Sequence, residues 1–163
     1  RQVLGVYDRA LCEPLAEVLA RLGSEHALVI HSDDGLDEIS IAAPTRGFEL
    51  RAGEISPIEI DPAALGLAHT SLDGLQVETA ADSANLIRGA LAGDDDAVSI
   101  NARAIIALNA GAGIYVSGVV DSLASGVAAA EQAMASGVAA QKLEAFVAFT
   151  QALVSEQGGA FAS

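Results

Sequence analysis

The amino-acid sequence predicts a layered α/β protein, a sheet flanked by helices, and three observations carry the prediction. Two strand-like runs enclose a helical stripe within the first 31 residues, and successive helical stripes fill the second half. The apolar content is also aliphatic: hydrophobic residues make up 52% of the 163 residues, aromatic residues only 4%, and Trp is absent. Slim aliphatic side chains suit helices packed closely on a sheet. That composition alone fits either an α/β or an α+β arrangement, and the order of the elements favours the first. A chain of this length is expected to build one core.

Val3-Leu4-Gly5-Val6-Tyr7 is a short continuous apolar run closed by Asp8, the pattern of a strand buried on both faces. Leu11, Leu15, Val18, Leu19 and Leu22 then fall on one helical face, with Gly23 as the stop and Pro14 early enough to be tolerated. His26 to His31 reads as a second buried strand, so residues 3–31 form a strand, helix, strand unit with parallel strands. Ligands of such sheets lie beyond the carboxyl ends of the strands, which directs attention to the segment after His31. Ile39–Ala42, Thr45–Leu50 and Ile55–Ile60 read as short antiparallel strands, with turn signals at Pro44 and Ala52-Gly53. Residues 61–81 read as a connection containing at most a short helical turn. Four helices complete the chain: Asp82 through Leu91 before Gly93, Ala97 through Val116 before Gly118, one opened by Asp121 or Ser122 and ended by Gly137, and a last one carrying Leu143, Phe146, Val147, Thr150 and Leu153. The domain is expected to span 1–155, with 156–163 as a frayed tail.

The formal charge of −14, from 22 acidic and 8 basic residues, opposes binding to nucleic acid or to anionic membranes. A phosphate-bearing substrate would have to arrive with a metal ion or be held by backbone N–H groups and a few local cations. The single cysteine, Cys12, excludes an internal disulfide framework, fits a reducing compartment and reads as a small buried residue. No signal peptide is visible, and no run of about 18 uninterrupted apolar residues suggests a membrane span. The chain opens directly in a strand-like run without Met, which leads to the expectation of a piece of a longer protein.

The most chemically suggestive stretch is His31-Ser32-Asp33-Asp34-Gly35-Leu36-Asp37-Glu38, with four carboxylates after a buried strand. It could be a solvated turn or a site for a hard cation, which prefers oxygen ligands. Neighbouring residues of a regular strand face opposite ways, so Asp37 and Glu38 can serve one ion only if the backbone leaves extended geometry, as Gly35 would allow. Each carboxylate could otherwise serve a different ion. Magnesium suits such a pair because it commonly takes one or two protein carboxylates and completes its octahedron with water and phosphate oxygens.

Val3-Leu4-Gly5-Val6-Tyr7, Pro14 to Leu19, Asp34-Gly35-Leu36-Asp37-Glu38-Ile39-Ser40, Pro44-Thr45, Glu49-Leu50 with Gly53, Asn109-Ala110-Gly111-Ala112 with Tyr115, and Asp121-Ser122-Leu123 with Gly126 occur in an order that resembles the second half of anthranilate phosphoribosyltransferases, over about residues 2–150. The ordered set is specific where any single motif is weak. The resemblance implies part of a nucleoside-phosphorylase/phosphoribosyltransferase-type catalytic domain, with the helical N-terminal domain and the first half of the catalytic domain absent from this chain. It implies a cytoplasmic, homodimeric enzyme of tryptophan biosynthesis that moves phosphoribose from phosphoribosyl diphosphate to anthranilate with Mg2+. It also implies that Asp37 and Glu38 are the metal ligands. The family's glycine-rich diphosphate loop, Lys-His-Gly-Asn segment and anthranilate-contacting Arg have no counterpart here, so the isolated chain is expected to be inactive. Around Pro62-Ala63-Ala64-Leu65-Gly66 this chain carries smaller apolar residues where relatives often have an acidic pair and Phe.

Other readings are weaker. His31 reads as structural, His26 and His69 lack metal-ligand spacing, and Ser32 and Ser40 lack an ordered base. Arg46 reads as an ion-pair partner, although phosphate is the alternative. Gly111 and Gly113 lie in a helical stripe with no strand leading into them, so they read as packing positions. Asp94-Asp95-Asp96 reads as an interhelical turn, with Asp96 as a cap. The Asp33–Glu38 turn is too short for an EF-hand loop. A non-catalytic relative that binds nucleic acid or another partner is the alternative function, and the net charge speaks against its nucleic-acid form.

Overall fold

The computed structural model describes residues 1–68 and 71–160, with the side chains of the last helix described through Leu153. His69 lies outside the described residues.

Four strands form one mixed sheet in the order β1 (Gln2–Gly5), β2 (His26–Ser32), β3 (Thr45–Arg51), β4 (Glu54–Ile60). β1 and β2 run parallel, with Gln2 opposite Ala27 and Gly5 opposite Ile30. The helix α1 (Cys12–Arg21) crosses between them after a 3-10 turn at Arg9–Leu11 that Asp8 caps. Pro14 falls in the first turn of α1, where its missing N–H leaves no bond unmade. β2, β3 and β4 are successively antiparallel, and Ala52-Gly53 closes the second hairpin with both residues at positive φ, the turn that matches strand twist.

β2 is the buried spine. Leu28 and Ile30 face a core with Ile39, Ile41 and Ile60, roofed by Ala104, Leu108, Ala112 and Val116 of α3 (Ala97–Ser117) and by Val127 and Met134 of α4 (Leu123–Ala135). Val29 faces the other way, onto Cys12 and Ala16 of α1, with Val6 beside them. Both faces of β2 are thus covered by helices, which is why it is a near-continuous apolar run. α3 is long and apolar enough, by length and composition, to cross a membrane. Here its apolar residues line the core between the sheet and α4, the use to which a buried helix puts the same composition.

α3 and α4 meet through two glycines. A Cβ on Gly111 would fall against the Val127 backbone, and one on Gly126 would fall on the Gly111 carbonyl, so the helices approach as only glycine permits. Gly113 faces open space instead, so of these two helical glycines only Gly111 is a packing position.

Several boundaries differ from the sequence expectation, each for a physical reason. β1 ends at Gly5, and as an end strand its residues are only half-buried, while Tyr7 is 82% exposed. Ile39–Ala42 is not a strand: Ile39 and Ile41 do fill the core, but from an irregular segment whose main chain pairs with side chains rather than with a neighbouring strand. The helix expected from Asp82 is α2 (Ala80–Ala92), capped by Thr79, with Asp82 returning a bond to the Thr79 N–H. The last helix, α5 (Val138–Ala160), starts earlier than the Leu143 stripe. Phe146 points to solvent at 62% exposure, while Leu143, Val147 and Thr150 form the half-buried stripe.

Candidate functional site

The acidic segment leaves the carboxyl end of β2 and folds over the carboxyl end of the parallel β1. Gly35, at φ +93, makes the first reversal: its N–H bonds the Ser32 carbonyl at 2.9 Å, and the Ser32 N–H bonds the Leu36 carbonyl at 2.9 Å. The Asp37 carbonyl then rests directly on Gly5, in space that any side chain at Gly5 would occupy. Past this point the Asn109 side chain of α3 takes over the main chain. Its Oδ1 accepts from the Ile39 N–H at 2.9 Å, and its Nδ2 donates to the Ile39 carbonyl at 2.9 Å. Thr45 Oγ1 accepts from the Ser40 N–H at 3.1 Å, and Ser40 Oγ accepts from the Ala42 N–H at 3.0 Å. Both main-chain groups of Ile39 and the N–H groups of Ser40 and Ala42 are therefore paired without a strand.

The four carboxylates of the segment divide into two kinds. Asp33 is an anchor: it pairs with Arg46 and, at 3.9 Å, with Arg9, while its N–H bonds the Pro44 carbonyl at 2.9 Å. Arg46 also reaches Glu59 at 2.9 Å, so it is the ion-pair partner of two carboxylates. Asp34 is the second anchor, accepting from Ser40 Oγ at 2.5 Å and from the Leu36 N–H at 3.4 Å. Partial burial pushes its carboxyl pKa upward, but the hydrogen bonds from Ser40, Ser32 and the loop backbone outweigh that and hold it below the usual aspartate value. Asp37 and Glu38 are exposed, and among the described residues their carboxylates take part in no hydrogen bond or ion pair. They lie in a bend rather than a strand, so the alternation of faces that would oppose them does not apply.

This donor set has a definite chemical capacity. Two uncommitted, solvent-facing carboxylates fit a magnesium ion that keeps several water or substrate oxygens in its shell. They do not make a closed protein cage, since among the described residues no group of three His, Cys, Asp or Glu side chains is placed to hold a metal.

The remaining candidates are structural. His31 Nδ1 donates to the Val6 carbonyl at 2.8 Å, tying β2 to the chain after β1. His26 Nε2 lies 2.7 Å from Glu49 Oε1, which also accepts from the Tyr115 hydroxyl at 2.7 Å; Arg51 in turn donates to that hydroxyl at 3.0 Å. Burial, then the bonded Glu49 carboxylate, push the Tyr115 hydroxyl pKa upward. Glu49 and Tyr115 thus fasten α3 to the amino end of β2, the end of the strand opposite the acidic loop. Cys12 is fully buried, and that burial raises its thiol pKa, so it is the inert packing residue its isolation suggested. Asp96 caps α3 through the Val98 and Ser99 N–H groups, both at 3.0 Å. A recess of about 480 Å³ between α2, α3 and α4 is mainly apolar and shares no residue with the acidic loop.

Two residues that shape the loop escaped the sequence reading. Gly5 reads in the sequence as part of a strand, and a glycine inside a strand signals close approach by another backbone. Asn109 was counted only as part of a motif. A polar residue on the inner face of an otherwise aliphatic helix needs a buried partner, and that was its signal.

Comparison with known proteins agrees with this fold. A model of the glycosyl transferase family, a/b domain, matches residues 1–140. The chain is similar to the anthranilate phosphoribosyltransferase of Teredinibacter turnerae, with 54% identity over 150 residues, 92% of this chain and 44% of that protein. Against the enzyme of the same name from Saccharophagus degradans it is 54% identical over 149 residues, 91% of this chain and 44% of the relative. The crystal structure of the anthranilate phosphoribosyltransferase from Thermus thermophilus superposes with a TM-score of 0.77 at 34% identity, covering 90% of this chain and 42% of that one. The chain therefore spans less than half the length of the proteins it matches.

Proposed function

The chain belongs to the glycosyl transferase family of this a/b domain, and from that membership we propose that it is the C-terminal portion of an anthranilate phosphoribosyltransferase. The whole protein transfers phosphoribose from phosphoribosyl diphosphate to the amine of anthranilate, releases diphosphate and serves tryptophan biosynthesis. The names of the relatives, at about half identity over nine-tenths of this chain, support that reading. The observation that carries this chain's share is the division of the acidic loop: Asp33 and Asp34 are tied down, while Asp37 and Glu38 remain free beyond the carboxyl ends of the parallel strands.

In this reading Asp37 and Glu38 hold Mg2+, which when bound neutralises the negative charge that builds on diphosphate as its bond to the anomeric carbon breaks. Both carboxylates act as metal ligands, and neither is assigned a proton transfer. Asp33, through Arg46 and Arg9, fastens the base of the loop. Asp34, through Ser40, fixes its turn, so the two ligands project from a braced backbone. The diphosphate and anthranilate contacts come from the rest of the protein, and the chain alone supplies no turnover. The resemblance also supports a cytoplasmic homodimer. The alternative of a nucleic-acid-binding relative gains nothing from a chain of net charge −14.

The test is the Asp37→Asn, Glu38→Gln double variant of the full-length protein, followed by loss of anthranilate fluorescence at varied magnesium. Turnover should fall by about two orders of magnitude or more, with magnesium activation largely abolished. An unchanged magnesium dependence in that variant overturns the assignment.

A further inference from the structure

Among the described residues no hydrogen bond or ion pair orients the Asp37 and Glu38 side chains, so the backbone that carries them sets where they project. That backbone is held at two points. Asp37 is held by its carbonyl on Gly5. Beyond Glu38, the first residue bonded to another element is Ile39, whose N–H and carbonyl are both taken by Asn109, 70 positions later. The Ile39 N–H belongs to the same planar peptide as the Glu38 carbonyl, so the bond to Asn109 Oδ1 fixes the orientation of that peptide.

The Asn109 amide is itself locked. The Nδ2 that serves the Ile39 carbonyl also donates to the Ile105 carbonyl one turn back on α3, at 3.0 Å. One acceptor and two donors are therefore used in one direction-specific set. Aspartate has the acceptor without the donors, leucine has the shape with neither, and glutamine has the groups one methylene too far out. The amide does for Ile39 what an adjacent strand would otherwise do, and this is why Ile39 can be buried without joining the sheet.

We propose that Asn109 is a positioning residue for the transferase, one that latches α3 to the acidic loop and so aims Asp37 and Glu38. This rests on the magnesium role proposed above for that pair, and the experiment separates the two claims. In full-length protein without metal, Asn109→Ala should raise amide exchange in a peptide covering residues 33–42 by at least tenfold while peptides of α3 stay protected. The same variant should need about tenfold more magnesium for half-maximal turnover at saturating phosphoribosyl diphosphate. Asn109→Asp keeps the acceptor for Ile39 and should fall between Asn109→Ala and the parent in both measurements. It also reports on the loop if the alanine variant does not fold.

Exchange over 33–42 that matches the parent in a folded variant overturns the proposal, as does faster exchange with an unaltered magnesium requirement. Global unfolding of both variants overturns it too, because Asn109 would then be a general stabiliser. If the Asp37→Asn, Glu38→Gln enzyme keeps its magnesium dependence, the metal assignment fails whatever the exchange shows. If that enzyme loses it and the Asn109 variants do not, only the positioning claim fails.

Discussion

Replacing Gly5 by alanine in the full-length protein is a one-carbon test of the loop's placement. The added Cβ would stand 1.5 Å from the Asp37 carbonyl oxygen and 2.5 Å from its carbon, against a practical minimum of 3.0 Å, so the carbonyl has to retreat by about 1.5 Å. Both atoms are backbone, and neither can swing away as a flexible side chain would. Because the peptide is planar, the displacement passes on to Glu38. Overpacking of this kind costs about 1–3 kcal/mol of stability. A misplacement of about 1 Å at a reacting centre costs on the order of 100-fold in rate. The expected outcome is a folded, moderately destabilised enzyme with turnover reduced at least 100-fold and a raised magnesium requirement, read from denaturant midpoints and magnesium titrations of activity. Gly126→Ala is the matched control: its Cβ would fall 2.2 Å from the Gly111 carbonyl oxygen at the α3–α4 crossing. It should lower stability by a similar amount while the folded fraction keeps the parent's magnesium requirement. A Gly5→Ala enzyme with parental turnover and parental magnesium requirement refutes the reasoning.

The two helical glycines of the Asn109-Ala110-Gly111-Ala112-Gly113 segment should part company. Gly111→Ala meets the Val127 backbone at 2.6 Å and should cost about 1–3 kcal/mol, whereas Gly113→Ala meets nothing within 4 Å and should gain up to about 1 kcal/mol through helix propensity, as denaturant midpoints will show. A pH series probes the loop's second anchor. The Asp34 carboxyl pKa is lowered by folding, so its stabilisation is fully present above the ordinary aspartate value of about 3.9 and is lost as pH falls through its lower folded value. Ser40→Ala removes the 2.5 Å bond, so the stability gap between parent and variant should be constant near neutrality and narrow below about pH 4. A gap independent of pH would contradict the assignment of Asp34 as a hydrogen-bonded, ionised anchor.

The parts of the fold legible in the sequence are those set by local pattern. The parallel unit around α1, the Ala52-Gly53 hairpin and the helix ends at Gly23, Gly93, Gly118 and Gly137 all follow from periodicity or from turn chemistry. Ile39–Ala42 was misread because burial and strand formation usually coincide, and here the core claims Ile39 and Ile41 while Asn109 and Thr45 satisfy the main chain. The start of α2 differs because Asp82 is the last residue of a capping box that Thr79 opens, not its first. At the site, the run of four carboxylates was visible, but its division into two anchors and two free groups was not. That division depends on Arg46 from β3, Arg9 from the 3-10 turn and Ser40 from the loop itself. Partnerships of this kind arise from the packing of separate elements, and no spacing rule encodes them.

The latch from α3 has a bearing on how the molecule comes to life. A contact spanning 70 positions closes only after the hairpin, the connection that follows it and two helices have been placed, and bringing such distant segments together is the slow part of folding. The strand pairs are closer in the sequence, whereas the Ile39 peptide beyond Glu38 is held by a side chain of the helical layer. During synthesis, a nascent chain released before residue 109 would carry all four carboxylates and the Asp33 and Asp34 anchors, but not the amide that holds the Ile39 peptide. The constraint on the segment that bears Asp37 and Glu38 thus reaches it in part from the helical layer, far along the chain, and not from its neighbouring strands alone.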